Sequence, residues 1–216
     1  MRSPNFQPRP DGASIDMLVF HYTGMQSAQA ALDRLCDPAA EVSAHYLVDE
    51  AGEVFALVDE ENRAWHAGVS SWRGEANVNS RSIGIELVNP GHEWGYRAFP
   101  AAQMAALADL SAGILSRWPI PARNVVGHSD VAPRRKQDPG ELFDWRWMAG
   151  RGIGLWPEPA PRGASEAMAL LAEYGYDVTD PKAALSAFQR HFRPLSCDGA
   201  VDAETLALLD GLMALL

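Results

Sequence analysis

A polar stretch interrupted by prolines most constrains how this chain can fold. The stretch, GHSDVAPRRKQDPGELF, directly follows an apolar run at residues 124–127 that is typical of a buried strand. Pro133 and Pro139 exclude a continuous helix, because proline lacks a backbone N–H and clashes with the preceding turn. The sequence therefore predicts a loop of defined shape at a strand end, a common position for functional side chains.

Two histidines and an aspartate are candidate metal ligands. His128 and Asp138 lie ten residues apart in the polar stretch, and His21 ends a second apolar run at residues 17–20. A catalytic zinc normally has three protein ligands and an open fourth position for water. The three side chains are therefore predicted to bind one zinc ion. Taken singly, His21 is equally consistent with a half-buried structural histidine, and Asp138 with a helix cap or a solvated acid.

Glu86 and Lys136 are candidate catalytic groups. In the predicted strand at residues 82–88, alternation places Glu86 on the same face as Gly84, opposite the isoleucines. Glu86 is either a solvated edge residue or a carboxylate in a cleft that accepts a proton from zinc-activated water. Lys136 is either one charge of the basic run at 134–136 or an ammonium that stabilises a developing oxyanion.

The composition excludes several classes of function. A formal net charge of −10 argues against general nucleic-acid binding and against docking on an anionic membrane. No apolar run approaches the roughly 18 residues of a membrane helix, and the first residues lack the apolar core of a secretory signal. Two distant cysteines are predicted to be free thiols. We therefore expect a cytoplasmic monomer, or a periplasmic one if a signal has been removed.

The pattern of short runs predicts an α/β fold, with a mixed central sheet flanked by helices and a small three-helix domain at the C-terminus. Strand-like runs occupy residues 17–20, 45–48, 54–58, 83–88 and 125–127, and helical patterns occupy 27–35 and 100–117. A seam rich in proline and glycine at 150–163 is followed by helical patterns at 164–174, 181–192 and 202–215. We expect domains at 1–160 and 161–216, the second packed against the first because it is too small for independent stability.

Several segments together carry a family resemblance. They are VFHYTG, SAHYLVDEAGEVFALV, AWHAG, the SWRG and NSRSIGIEL stretch, and GHSDVAPRRKQDPG. They span nearly all of residues 4–157 and resemble the type-2 N-acetylmuramoyl-L-alanine amidases, zinc enzymes that share their fold with peptidoglycan-recognition proteins. SPNF near the start and GIGLWP after residue 150 resemble the AmiD-like branch of that family.

The resemblance implies a reaction and a role for each candidate residue. The family hydrolyses the amide between N-acetylmuramic acid, including 1,6-anhydro forms, and L-alanine of the stem peptide. Carried onto this sequence, it implies His21, His128 and Asp138 as ligands of one Zn²⁺, Glu86 as general base and Lys136 as the oxyanion-stabilising group. The expected partner is a muropeptide or peptidoglycan fragment, and the expected role is muropeptide recycling.

The resemblance also extends to residues around the groove. Trp65, His66 and Asn79 are predicted to contact substrate, although each is equally suited to holding the shape of a loop. His45 is interpreted as a structural or supporting histidine. His92 and His191 belong to no cluster in the sequence and are predicted to lie at the surface.

Two alternatives to an enzyme remain open, and so does the role of the C-terminal unit. A non-catalytic peptidoglycan-recognition module would use the same groove only for binding, and an interaction protein would hold a structural zinc with four protein ligands. AFQRHF, CDG and DAET resemble a peptidoglycan-binding helical module. Its first half is shortened here, so glycan binding and a purely structural role both remain possible interpretations.

Overall fold

A mixed sheet with strand order β4-β3-β8-β2-β9 forms the centre of the fold in the computed structural model, which describes residues 1–161, 163 and 166–216. Strands β2, β3, β8 and β9 run parallel, and β4 is antiparallel at one edge. Separate two-stranded ribbons pair β1 with β5 and β6 with β7. The strands are β1 (Phe6–Pro8), β2 (Met17–Tyr22), β3 (Tyr46–Val48), β4 (Val54–Ala56), β5 (Asn62–Ala64), β6 (Ser71–Trp72), β7 (Glu75–Ala76), β8 (Ser82–Leu87) and β9 (Val125–Gly127).

Helices surround this sheet, as the sequence predicted. They are α1 (Ala28–Cys36), α2 (Gly91–Trp94), α3 (Ala101–Arg117), α4 (His128–Val131), α5 (Trp145–Ala149), α6 (Ala167–Tyr174), α7 (Pro181–Phe192) and α8 (Ala203–Met213). Short 3₁₀ turns occupy Pro38–Ala40, Val78–Ser80 and Ala122–Asn124. The Ser27 side chain caps the start of α1, since it accepts a hydrogen bond from the Ala30 N–H. Within the described ranges, no helix is long and apolar enough to cross a membrane.

Both faces of the central strand β2 are covered, which explains its continuous apolar sequence. Leu18 and Phe20 point to one face and join the core formed with α3 and α5. Met17 and Val19 point to the opposite face, where they pack with the C-terminal helices α6, α7 and α8. Strands buried on both sides lack the polar alternation of an exposed sheet.

The C-terminal helices share a hydrophobic core with the sheet. Val19 and Val126 belong to the same cluster of buried side chains as Leu171, Phe188 and Leu209. The predicted packing of the C-terminal unit against the first part of the chain is therefore confirmed, while the division at residues 160/161 stays a prediction. Residues 164 and 165, where a helix was predicted to begin, lie outside the described residues, and α6 starts at Ala167.

The segment predicted as a loop after β9 begins instead with one helical turn, α4. The Asp130 carboxylate accepts a hydrogen bond from the Gly127 N–H at 2.7 Å and so caps the start of that turn. Pro133 lies beyond its end and therefore does not prevent it. The prediction failed because a side-chain cap can stabilise one turn in a segment where proline forbids a long helix.

The predicted surface position of His191 is wrong. Its side chain is 3% exposed and lies in the last turn of α7, with its ring stacked on Trp145 and Phe192. Its Nδ1 is 2.7 Å from Asp130 Oδ2. His92, by contrast, is exposed as predicted. Sequence alone does not distinguish the two histidines, because the partner of His191 is 61 residues away along the chain.

Candidate metal and catalytic site

The register of three parallel strands brings the candidate site residues together. His21 on β2 pairs directly with Glu86 on β8. Phe20 pairs with Gly127 on β9, so His128 follows at the position beside His21. Paired residues on neighbouring parallel strands point to the same face. Glu86, His21 and His128 therefore lie side by side at the carboxyl edge of the sheet, where ligands of α/β proteins commonly bind.

The three predicted ligands form a nearly equilateral triangle of donor atoms. His21 Nδ1 lies 2.9 Å from His128 Nδ1 and 3.1 Å from Asp138 Oδ2, and His128 Nδ1 lies 3.0 Å from the same oxygen. All three side chains are buried. Tetrahedral ligands bound about 2.0–2.1 Å from zinc lie about 3.3 Å apart. The group therefore has the composition and size needed to hold a metal ion.

A chain of hydrogen bonds orients the His21 ring. The Ser82 hydroxyl donates its proton to the Val78 carbonyl oxygen at 2.7 Å, so it acts as acceptor toward His66 Nε2 at 3.0 Å. His66 Nδ1 then lacks a proton and accepts from His21 Nε2–H at 3.0 Å. This leaves the Nδ1 lone pair of His21 directed at the centre of the triangle, the arrangement that supporting partners impose on metal-binding histidines.

His128 is oriented in the same way by the backbone. Its Nε2–H donates to the carbonyl oxygen of Ala67 at 3.0 Å. Because that nitrogen carries the proton, Nδ1 of His128 is the free donor atom in the triangle. The backbone of the next residue, Ser129, donates to the carbonyl oxygen of Asp138 at 2.9 Å. These contacts fix both ends of the segment that supplies two of the three candidate ligands.

The protonation states of the triangle suit metal binding at neutral pH. Burial lowers the pKa of His21 to about 4, and neighbouring His128 acts in the same direction. Burial alone would raise the pKa of Asp138, but His128 and His21 outweigh it and hold that pKa far below its usual range. His21 is therefore neutral and Asp138 ionised, as metal ligands must be.

Glu86 faces the cavity beside the triangle. The cavity measures about 530 Å³, and its lining includes Glu86, Trp65, Lys136 and the candidate ligands His128 and Asp138. Glu86 Oε2 is buried and makes no hydrogen bond to any residue that the structure describes. Burial raises the pKa of Glu86 to about 8, the charge of Asp138 adds to this effect and Lys136 opposes it. A carboxyl of this kind at a cleft is typical of a proton-transfer group.

The predicted substrate contacts differ in their surroundings. Trp65 is partly buried and lines the cavity. Asn79 Oδ1 accepts hydrogen bonds from the backbone N–H groups of His66 and Ala67, at 3.2 and 2.7 Å. Both ring nitrogens of His66 are engaged by His21 and Ser82. Contact of these residues with substrate stays a prediction, and the structure gives Asn79 and His66 a supporting function as well.

His45 lies outside the triangle, as its structural interpretation predicted. The Gly84 N–H donates to His45 Nδ1 at 2.9 Å, and Nε2 is 3.1 Å from the Asn62 carbonyl oxygen. Gly84 itself was missed as a site residue. A β-carbon there would lie 2.4 Å from the His66 ring. Glycine inside a regular strand is the sequence signal for such a close approach.

Comparison with known proteins assigns the family. The sequence profile described as N-acetylmuramoyl-L-alanine amidase matches residues 11–141, more than half of the chain. This segment includes every residue of the donor triangle as well as Glu86 and Lys136. The chain therefore belongs to the N-acetylmuramoyl-L-alanine amidase family.

Individual relatives match over different lengths. AmiD of Escherichia coli K12 is 39% identical over 92% of this chain and 82% of its own. Its structure with anhydro-N-acetylmuramic acid-L-Ala-D-γ-Glu-L-Lys superposes with a TM-score of 0.83 at 37% identity, over 96% of this chain and 93% of that one. The structure of AmpDh3 of Pseudomonas aeruginosa in complex with an anhydromuramic pentapeptide gives a TM-score of 0.81 at 33% identity. The match covers 98% of this chain and 96% of that one. The 1,6-anhydro-N-acetylmuramyl-L-alanine amidase AmpD of Haemophilus influenzae is 35% identical over 67% of this chain and 86% of its own.

Replacing Gly84 by alanine should weaken metal binding. The added methyl group would displace the His66 ring and so the hydrogen bond that orients His21. Loss of such a supporting contact typically costs about 10- to 100-fold in metal affinity. Zinc affinity can be measured by competition with a chelator, with folding checked by circular dichroism. Gly113→Ala, on helix α3, is the control and should leave zinc affinity unchanged. Equal affinity in Gly84→Ala and wild type would contradict the role given to His66.

Proposed function

We propose that this chain is a zinc-dependent amidase that hydrolyses the bond between N-acetylmuramic acid and L-alanine of peptidoglycan stem peptides. The observation that carries this proposal is the donor triangle of His21, His128 and Asp138 next to Glu86. Membership of the amidase family and the muropeptides bound in the structures of AmiD and AmpDh3 support the substrate class.

Zinc fits the donor set. Two imidazole nitrogens and one carboxylate oxygen, with a further position open, are typical of catalytic zinc, whereas magnesium and calcium prefer oxygen donors alone. The cavity beside the triangle leaves room for water and a substrate carbonyl. When bound, zinc supplies Lewis acidity, which activates water near neutral pH and polarises the carbonyl.

Glu86 and Lys136 supply the remaining chemistry. Glu86 accepts the proton of the attacking water on its carboxylate and then delivers it to the leaving amide nitrogen. Its raised pKa suits both steps, because a base that titrates near the working pH can also return its proton. The Lys136 ammonium, which lines the same cavity, stabilises the negative charge that develops on the carbonyl oxygen.

Two observations favour an enzyme over a binding module. A groove that only binds peptidoglycan has no use for a buried carboxyl of raised pKa beside a metal group. A structural zinc is normally closed by four protein ligands. Among the residues that the structure describes, the metal-competent group consists of three, and His66, the nearest further histidine, is committed to His21 and Ser82.

The preferred substrate and the location are finer parts of the proposal. The anhydro sugars of the ligands bound to AmiD and AmpDh3, and the 1,6-anhydro substrate in the name of AmpD, support action on anhydro-muropeptides and hence a role in recycling. The free thiols of Cys36 and Cys197 are compatible with the predicted reducing cytoplasm. We also propose that the protein is a monomer and that residues 161–216 form a separate domain. Because this domain resembles a peptidoglycan-binding module, the proposal includes contact between the domain and glycan.

Glu86→Gln should abolish most turnover while leaving the metal in place. The amide keeps the shape of the side chain but cannot accept the water proton, so kcat should fall by on the order of 10²-fold or more. Hydrolysis of an anhydromuramoyl tripeptide and zinc content measure the two properties. Glu93→Gln is a matched control, because Glu93 lines the same cavity and is exposed. Near-normal kcat in Glu86→Gln would remove this residue from the mechanism.

Removal of the metal or of one ligand should stop hydrolysis. A chelator should inactivate the enzyme and added zinc should restore it, since the proposed mechanism needs an ion bound by the triangle. Asp138→Ala should lower zinc content below one ion per chain, because it deletes the anionic donor of the triangle. Asp109→Ala, which changes an exposed aspartate on α3, should retain both zinc and activity. Full zinc content in Asp138→Ala would show that the ligand assignment is wrong.

A further inference from the structure

A buried carboxylate connects the C-terminal helices to the metal site. Asp130 is 1% exposed and lies two residues after the candidate ligand His128. Its Oδ2 accepts from the Gly127 N–H and lies 2.7 Å from His191 Nδ1, and its Oδ1 accepts from the Tyr176 hydroxyl at 2.7 Å. Two of its three partners therefore come from outside the segment matched by the amidase profile.

Both of these partners, His191 and Tyr176, are buried and held in place by their neighbours. His191 is held by stacking on Trp145 and Phe192, with ring centroids 3.7 and 3.9 Å away. Tyr176 is 4% exposed, and burial together with the charge of Asp130 raises its pKa well above 10. The phenol therefore keeps its proton at neutral pH and remains a hydrogen-bond donor to Asp130.

Asp130 in turn fixes the turn that carries His128. Helix α4 has four residues, too few to be stable without tertiary contacts. The Asp130 carboxylate accepts a hydrogen bond from the N–H of Gly127, the residue that precedes the helix, and the Ser129 N–H within the helix donates to the carbonyl oxygen of Asp138. A buried carboxylate that loses its donors is costly and would rearrange toward water. Movement of this turn would therefore move two of the three candidate ligands.

We propose that Tyr176 and His191 of the C-terminal helices are positioning residues for the metal site, acting through Asp130 on the α4 turn. The C-terminal unit is then part of the catalytic apparatus, in addition to any contact it makes with glycan. This inference rests on the proposed zinc amidase function. The neighbouring residue of α7, Arg190, gives a second link between the C-terminal helices and the cavity. Its Nε lies 3.6 Å from Glu141 Oε2, and Glu141 in turn contacts His92, which lines the cavity.

Substitutions at His191 can separate hydrogen bonding from ring packing. His191→Phe keeps an aromatic ring stacked on Trp145 and Phe192 but removes the donor to Asp130. His191→Asn places an amide N–H near the position of Nδ1 but removes the ring. If the residue acts through Asp130, His191→Asn should bind zinc more tightly than His191→Phe. If it serves only packing, His191→Phe should bind zinc more tightly than His191→Asn.

Tyr176→Phe tests the second partner with a single-oxygen change. Tyr174→Phe is its matched control, because Tyr174 is buried in the same hydrophobic cluster, whereas the hydrogen bond to Asp130 Oδ1 comes from Tyr176. We expect Tyr176→Phe and His191→Phe each to weaken zinc binding about tenfold, the lower end of the range for supporting contacts of metal ligands. His191→Asn should recover most of that loss, and Tyr174→Phe should match wild type.

The experiment measures zinc affinity by chelator competition, kcat and KM on an anhydromuramoyl tripeptide, and thermal unfolding, all on the full chain. The expected kinetic result is a lower kcat with little change in KM, since the groove itself is unaltered. Wild-type zinc affinity in both Tyr176→Phe and His191→Phe would overturn the inference, as would a His191→Asn protein as weak as His191→Phe. If His191→Phe does not fold, the Tyr176→Phe result decides. Wild-type protein that neither binds zinc nor hydrolyses the substrate would instead overturn the proposed function.

Discussion

The parallel register of β8, β2 and β9 is the constraint on which the rest of the structure depends. It sets Glu86, His21 and His128 beside one another at the same edge of the sheet. A shift of one residue would exchange the two faces of a strand, so that Phe20 would replace His21 above the site. The packing that buries both faces of β2 therefore also decides where the candidate metal ligands point.

The strand register places the two candidate ligand histidines, and hydrogen bonds to their Nε2 atoms orient their rings. His66, which is also hydrogen-bonded to Ser82, accepts a hydrogen bond from Nε2 of His21. The Ala67 carbonyl oxygen accepts one from Nε2 of His128. The Nδ1 atoms of His21 and His128 are left with free lone pairs, and both lie beside the Asp138 carboxylate. Burial strengthens these interactions, and it also raises the pKa of Glu86 at the adjacent position. Burial thus favours both the proposed binding of a cation and the proposed proton transfer by Glu86.

The sequence predicted those features that local pattern controls. Strand-end positions identified His21 and His128, alternation identified the orientation of Glu86, and the helical pattern at 181–192 matches helix α7. Contacts between distant segments could not be predicted. The partnership of His66 with His21 depends on the close approach of a loop to Gly84. The burial of His191 depends on packing between distant segments, which no local periodicity encodes.

Anomalous X-ray scattering at the zinc absorption edge, measured on crystals grown with zinc, tests the central claim most directly. One peak is predicted within the donor triangle, about 2.0–2.1 Å from His21 Nδ1, His128 Nδ1 and a carboxylate oxygen of Asp138, with the remaining position open to the cavity. A peak elsewhere, no peak, or a fourth protein ligand that closes the site would contradict the assignment of a catalytic zinc centre.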